Sequence, residues 1–443
     1  MPSAPVIPDS LAALLSLLRP CFTAPSFDTF GWLVVGFISQ VGERTVCGMW
    51  QAAGLAGVFH HSRAHGFFAA ARWSPDELGL RLAGLLVAQL VPAGEPLRLA
   101  LDDTLFHRSG RKVFGACLHH DPQAGGGPRL GFDDCWVALG LIVHLPCLAR
   151  PLFLPLLFRL YRPSREGAPR PSRPQLGREL VDLLQARFPR RRIELLADAA
   201  YASRACRGLP REVTLTMRLR RDAALYAPAP PRTGRRGRPR KKGARLPTLA
   251  AAADAPGAGW REVRLVRYGK SAAVRLPTID CLWYGVPGEQ PARVVLAREG
   301  KRRAGFDVAL VTTDMEASPE QVVARYTGRW AIEVGFQEAR QALGVGEARN
   351  RTEKAVLRTV PFGMLCQSLT VAWYALNGEA EEDVRRRRLS APWYRQKRRP
   401  SSADMLAALR REIVSAEYTQ GPPREGRSAE TTQPMPHSAR PAA

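Results

Sequence analysis

The sequence predicts an α/β fold: a mixed sheet with flanking helices, preceded by a helical N-terminal region and interrupted by a β-rich insertion. Three observations carry this reading. Helix-spaced apolar residues dominate residues 1–92, as in LAALLSLLRP and ELGLRLAGLLVAQL. Apolar runs that end in acids, LRLALDDT and RRIELLADAAY, flank a helical segment, ELVDLLQARF. Between residues 206 and 310, short runs such as VTLTMRLR, REVRLVRYG, DCLWYGV and RVVLARE alternate with the two-residue period of strands.

In chain order, residues 1–92 form a helical region, with Ser74-Pro75-Asp76-Glu77 as a helix start. In a basic protein this region is either a DNA-binding unit or a helical cap on the core. Residues 93–205 form the first part of the core. Within it lies the most apolar stretch, Trp136 to Tyr161. His144, Arg150 and Arg159 interrupt that stretch, and Pro146, Pro151 and Pro155 punctuate it. A membrane helix tolerates neither pattern, so the stretch reads as two buried strands joined by a proline-containing turn. Residues 206–310 form the insertion, and RTGRRGRPRKKGAR within it carries eight basic residues and no acid. Residues 311–378 return to the core with the strand FDVALVTTD, a long helix from Ser318, and a further apolar helix. Residues 379–443 read as a basic, partly disordered tail, disordered beyond about residue 420.

A chain of 443 residues, 45% apolar, has material for two or three cores. With 65 Lys and Arg against 40 Asp and Glu, its formal charge is +25, which calls for a polyanionic partner. Nucleic acid satisfies that demand, and no membrane partner is expected. Eight scattered cysteines with no C-x-x-C pair read as reduced core residues of a cytoplasmic protein. His60-His61 and His119-His120 lack the spaced partners of a tetrahedral metal site. The N-terminus MPSAPVIPDS has no basic segment followed by an apolar run, so no signal peptide is expected.

Three acids stand out by position. Asp102, with Asp103 beside it, ends one strand, Asp198 ends another, and Glu333 lies on a helix. Acids at the carboxyl ends of neighbouring strands point into the crevice where α/β folds bind ligands. Three carboxylates gathered there repel one another unless a cation intervenes, and a hard ion with oxygen ligands suits them. Two Mg²⁺ ions, with Mn²⁺ as a substitute, are the expected cofactors, able to activate a water or a 3′-hydroxyl at a phosphodiester. Adjacent strand residues face opposite sides, so only one of Asp102 and Asp103 can enter the site. On the helix, Tyr326, Arg329 and Arg340 stand at −7, −4 and +7 from Glu333 and share its face. That stripe offers a phenol and two guanidiniums to phosphates. An ordinary helix salt-bridged between Arg329 and Glu333 has the same spacing. In the basic loop, Arg236, Arg238, Arg240 and Lys241 are candidate DNA contacts, either at phosphates or in a narrow minor groove.

Taken together, these motifs resemble the DDE transposases of bacterial insertion sequences. The likeness is greatest to the branch carrying a Tyr-Arg-Glu-Lys signature on the glutamate helix. The D-x-T motif is Asp102-Asp103-Thr104, the D-x-x-Y motif is Asp198-Ala199-Ala200-Tyr201, and the signature is Tyr326, Arg329, Glu333 and Arg340 in place of Lys. LGVGEARNRTEKAVLRTV, after the helix, also fits, and the resemblance spans roughly residues 95–376. It implies an RNase H-like catalytic fold with a β-rich insertion before the glutamate. Asp102, or Asp103 in its stead, would join Asp198 and Glu333 as metal ligands and catalytic residues. It implies Mg²⁺-dependent cleavage at transposon ends and strand transfer into target DNA. It also implies a homodimer on double-stranded DNA in the bacterial cytoplasm, associated with the nucleoid, and DNA contacts by Tyr326, Arg329 and Arg340. Some relatives use an insertion Trp to stack a displaced base; Trp260 and Trp283 are available for this, and a packed core Trp is the favoured reading of each. A relative that binds DNA without turnover is the competing expectation.

Overall fold

The computed structural model describes residues 6–42, 44–110, 112–120, 130–164, 168–231, 238–267, 270–299 and 304–420. Five helices open the chain: α1 (Asp9–Ser16), α2 (Ala24–Ser39), α3 (Val46–Ala52), α4 (Ser62–Ala69) and α5 (Pro75–Leu90). Ser74 caps α5 by accepting a hydrogen bond from the Glu77 amide, as the Ser-Pro-Asp-Glu run predicts. These helices share one hydrophobic core with the sheet that follows. Phe30, Phe67 and Phe68 pack edge-on against Phe362 of a helix nearly 300 residues further along the chain.

The sheet begins with β1 (Leu97–His107), β2 (Cys117–His120), β3 (Leu130–Val143) and β4 (Leu152–Tyr161). β3 and β4 are the apolar stretch that contains the prolines, and they pair antiparallel through a register shift at Leu139/Gly140. After α6 (Arg173–Arg187) come β5 (Ile193–Ala197) and β6 (Val213–Arg218). β1 is antiparallel to β3 and parallel to β5, and β5 is parallel to β6. The resulting order, β4-β3-β1-β5-β6, is that of an RNase H-like sheet flanked by helices, as expected.

VTLTMRLR, read in the sequence as the first strand of the insertion, is therefore β6 and belongs to the core sheet. Its alternating pattern is common to core and insertion strands, and only its parallel partner β5 distinguishes the two. The insertion proper holds α7 (Leu249–Asp254), β7 (Arg261–Arg267), β8 (Lys270–Leu276), β9 (Thr278–Leu282) and β10 (Pro291–Glu299). β11 (Val308–Thr312) returns antiparallel to both β6 and β10, so the insertion extends the core sheet rather than forming a separate one. A second apolar cluster, including Val274, Leu276, Val295, Leu310, Val322 and Val323, fills the space beneath the next helix.

That helix is α8 (Pro319–Gly328), and α9 (Trp330–Gln341) follows it. The long helix expected from Ser318 is broken at Arg329, whose amide bonds the Tyr326 carbonyl three residues back. α9 lies close against β4. A Cβ at Gly335 would come within 2.9 Å of the Phe153 ring, and Phe336 meets that ring edge-on at 5.6 Å. α10 (Glu353–Asn377) backs α9, with Gln367 donating to the Gly335 carbonyl at 3.1 Å. α10 is long and apolar enough to cross a membrane, but 89% of its apolar window is buried in the protein.

The tail differs from expectation between residues 379 and 420. α11 (Ala380–Ser390) and α12 (Ser402–Gln420) are folded, with Met405, Leu409 and Ile413 fully buried. The four-residue spacing of those apolar residues was obscured by the neighbouring arginines. Residues 421–443, expected to be disordered, lie outside the described residues.

One buried ion pair ties the segment after α9 to the sheet. Arg108, at the end of β1, donates from Nε to Asp134 of β3 at 2.6 Å, with side chains 4% and 0% exposed. Its Nη1 reaches the carbonyls of Gly346 and Ala348 at 3.0 and 2.7 Å. Removing one member of a buried pair strands the other charge. Arg108→Met should therefore lose about 3–5 kcal/mol in urea denaturation. A loss under about 1 kcal/mol would show that the pair is not needed to close this part of the fold.

Candidate active site

The parallel ladder between β1 and β5 places the first two acids. Leu101 pairs with Ala197, so Asp102 and Asp198 are the next residues on two neighbouring strands. With the alternation of side chains, both project from the face covered by α8 and α9. Glu333 comes to them from the first turn of α9, which packs on β1 and β4.

Arg329, at the break between the two helices, lies among the three. Its Nη1 donates to Asp102 Oδ2 and its Nη2 to Glu333 Oε1, each at 2.8 Å. Asp198 is near enough to favour its charge, and Tyr326, whose ring lies 5.4 Å from the guanidinium, donates to Asp198 Oδ1 at 3.4 Å. Arg340 donates to Thr104 Oγ1. The structure thus brings Asp102, Asp198, Glu333, Tyr326 and Arg329 together on one face and holds Arg340 beside them through Thr104 of the first motif. α8 is itself tied down. Arg325 pairs with Glu194 at 3.0 Å and Asp314 at 2.6 Å, and Arg98 pairs with Glu194 at 2.9 Å.

Asp103 turns to the opposite face. It accepts from Tyr201 Oη at 3.0 Å and from Arg173 Nη1 at 2.8 Å, with the Cys135 thiol at 3.6 Å. Its neighbour Asp102 is the acid on the side of Glu333. Tyr201 belongs to the D-x-x-Y motif and is 2% exposed, so its bond to Asp103 fastens the turn after Asp198 to β1. Gly177 of α6 allows this packing, since a Cβ there would lie 2.7 Å from Leu101 and 3.3 Å from Tyr201. The sequence contained both motif residues, Asp103 and Tyr201, but not their pairing. Arg173 carried no signal at all.

Arg236 lies outside the described residues. Arg238 and Arg240 are exposed, and Lys241 pairs with Glu289. The neighbouring Lys242 rests over the Tyr226 ring at 3.6 Å. Trp283 is buried, and Trp260 is covered by Arg298 at 3.7 Å while donating to the Ala253 carbonyl, so both are packed. A cavity of about 1570 Å³ opens at the amino-terminal ends of the parallel strands, lined by Arg98, Glu194, Arg325 and Trp330 among others. It does not include the three acids.

The donor set fits a hard divalent cation: three carboxylates on one face, partly open to solvent, at the strand ends. As the side chains lie, no three metal-binding groups enclose a common point among the described residues, and Arg329 stands between two of the acids. The model of the DDE superfamily endonucleases matches residues 17–272, more than half of the chain. The chain belongs to this family. Its members are nucleases or transposases that act on DNA and generally use divalent metals such as Mg²⁺. The match includes Asp102 and Asp198 and ends before Glu333, so the third acid rests on its position in the fold. No curated protein matches the chain.

Burial pushes the Asp102 carboxyl from 3.8 up to about 7; Arg329 opposes the shift, and Asp103 and Asp198 add to it. Between those two values the folded protein holds a proton that the unfolded chain has released. The stability this group contributes therefore falls as pH rises through that window and levels off above it. Asp102→Asn should remove that slope from metal-free Tm measured against pH, and profiles that superimpose for variant and wild type would refute the shift. Tyr201→Phe leaves a half-buried Asp103 oxygen short of a partner and should cost about 1 kcal/mol in urea denaturation. An unchanged midpoint would mean that the Tyr201–Asp103 bond does not hold the turn.

Proposed function

We propose that this protein is a transposase of the insertion-sequence type, of the branch with the Tyr-Arg-Glu-Lys signature. It cleaves DNA at transposon ends and joins the freed 3′-hydroxyl to target DNA. The observation that carries the proposal is the meeting of Asp102, Asp198 and Glu333, drawn from two strands and a distant helix, around the single guanidinium of Arg329.

Asp102, Asp198 and Glu333 would hold two Mg²⁺ ions, or Mn²⁺ in their place. Bound there, the ions supply a stronger nucleophile and charge neutralisation at the phosphodiester. The chain's own groups bind and orient the DNA. Arg329 and Arg340 offer planar donor pairs to phosphate oxygens, and Tyr326 adds a hydroxyl donor. Burial raises the Tyr326 phenol to about 12, so it stays protonated and able to donate at neutral pH. Arg340 keeps the charge of the signature Lys with a flatter, forked donor. Tyr201 and Asp103 hold the Asp198 turn beside Asp102 from behind. Arg238, Arg240 and Lys241, with Arg236 beside them in sequence, would follow the backbone of the transposon end. Pairing two ends calls for a homodimer on DNA, and the reading places the protein at the bacterial nucleoid, in the cytoplasm.

The test is nicking of duplex DNA carrying the element's own ends, with and without Mg²⁺. Asp102→Ala, Asp198→Ala and Glu333→Ala should each lower cleavage by at least about a hundredfold while leaving DNA binding intact. DNA binding without metal-dependent nicking, equal in wild type and Asp198→Ala, would instead identify a relative that binds DNA without turnover.

A further inference from the structure

We propose that in the DNA-free protein Arg329 occupies the position of a divalent cation and competes with metal for the carboxylates, and that metal binds there more tightly once a DNA phosphate draws the guanidinium away. This rests on the carboxylates being a metal site, as proposed above, and adds an order of events that neither the motif nor the family supplies.

The geometry points to it in four ways. The guanidinium bridges Asp102 and Glu333 with two bonds of 2.8 Å, and the charge of Asp198 also acts on it. Its side chain is 11% exposed, so the positive charge is held inside the cluster rather than at its rim. No three metal-binding groups converge among the described residues while it is there. Its Nε is buried without a hydrogen-bond partner, so the bridge satisfies only part of the fork.

A cation and a guanidinium cannot both neutralise the same two carboxylate oxygens at full strength. Loading the ion therefore costs the Arg329 bonds, and Arg329 recovers them only on another anion. A phosphodiester matches its planar fork and lies where the acids act. Metal and DNA then bind with positive coupling, and each raises the affinity for the other by the same factor. Such coupling disfavours metal loading at a nuclease site away from its substrate.

The experiment measures Mn²⁺ binding without DNA, by calorimetry or by the loss of the free-ion paramagnetic signal. Arg329→Gln should bind Mn²⁺ about tenfold more tightly than wild type. Arg329→Lys, which keeps the charge but cannot bridge both acids, should fall between them. Adding Asp198→Ala to Arg329→Gln should abolish the gain. Equal affinities in wild type and Arg329→Gln, both lost on Asp198→Ala, overturn the proposal while leaving the metal site in place. Affinities unchanged by Asp198→Ala overturn it by showing that these carboxylates bind no metal. Should Arg329→Gln fail to fold, as read by near-ultraviolet circular dichroism, the wild type decides. Its Mn²⁺ affinity should rise about tenfold on adding a short mixed-sequence duplex, against an Asp198→Ala control. No rise above that control overturns the proposal.

Discussion

Between Leu97 and Leu101 the backbone of β1 runs beside Ile193–Ala197, and the two strand acids of the site, Asp102 and Asp198, take their positions from that five-residue ladder. A shift of one residue would send Asp198 to the far face, where Asp103, Tyr201 and Arg173 already form a closed set. The register is protected by burial on both sides. Leu97, Leu99, Ile193 and Leu195 are almost wholly buried, and so are Ala100 and Leu196 on the other face. The hydrophobic effect thus holds the two strands side by side in the core, since separating them would expose apolar surface.

On that base the helices are fastened by charge. Arg325 and Arg98 share Glu194, and Arg325 also takes Asp314, which anchors α8 at the end of the sheet remote from the acids. Arg108 and Asp134 anchor the segment after α9. Between these two clamps the chain kinks at Arg329, and the kink is what directs Tyr326 to Asp198 and Glu333 to the neighbourhood of Asp102. The excess of positive charge that suggests a DNA partner in composition is therefore not all spread over the surface. Several of its arginines are structural members of buried pairs.

Much of the core was legible because its signals are local. The acids at strand ends, the proline-interrupted pair of apolar strands and the stripe Tyr326, Arg329, Glu333 all follow from periodicities of two and about 3.6 residues. What was misread depended on partners distant in sequence. VTLTMRLR looks the same whether it joins the core or the insertion. The residues of α12 looked like a basic tail until Met405 and Leu409 met the helices that bury them.

By itself the sequence determined which side chains are available and how far apart they stand along each element: two acids on strands, one on a helix, an arginine one turn before it. Only the tertiary structure decided that Asp102 rather than Asp103 faces Glu333, that Tyr201 braces the pair from behind, and that Arg329 lies among the three acids. The physical reason is that a periodicity defines a face but not what lies opposite it. Those choices belong to strand register and helix docking, which depend on burial summed over the whole core rather than on any residue's near neighbours.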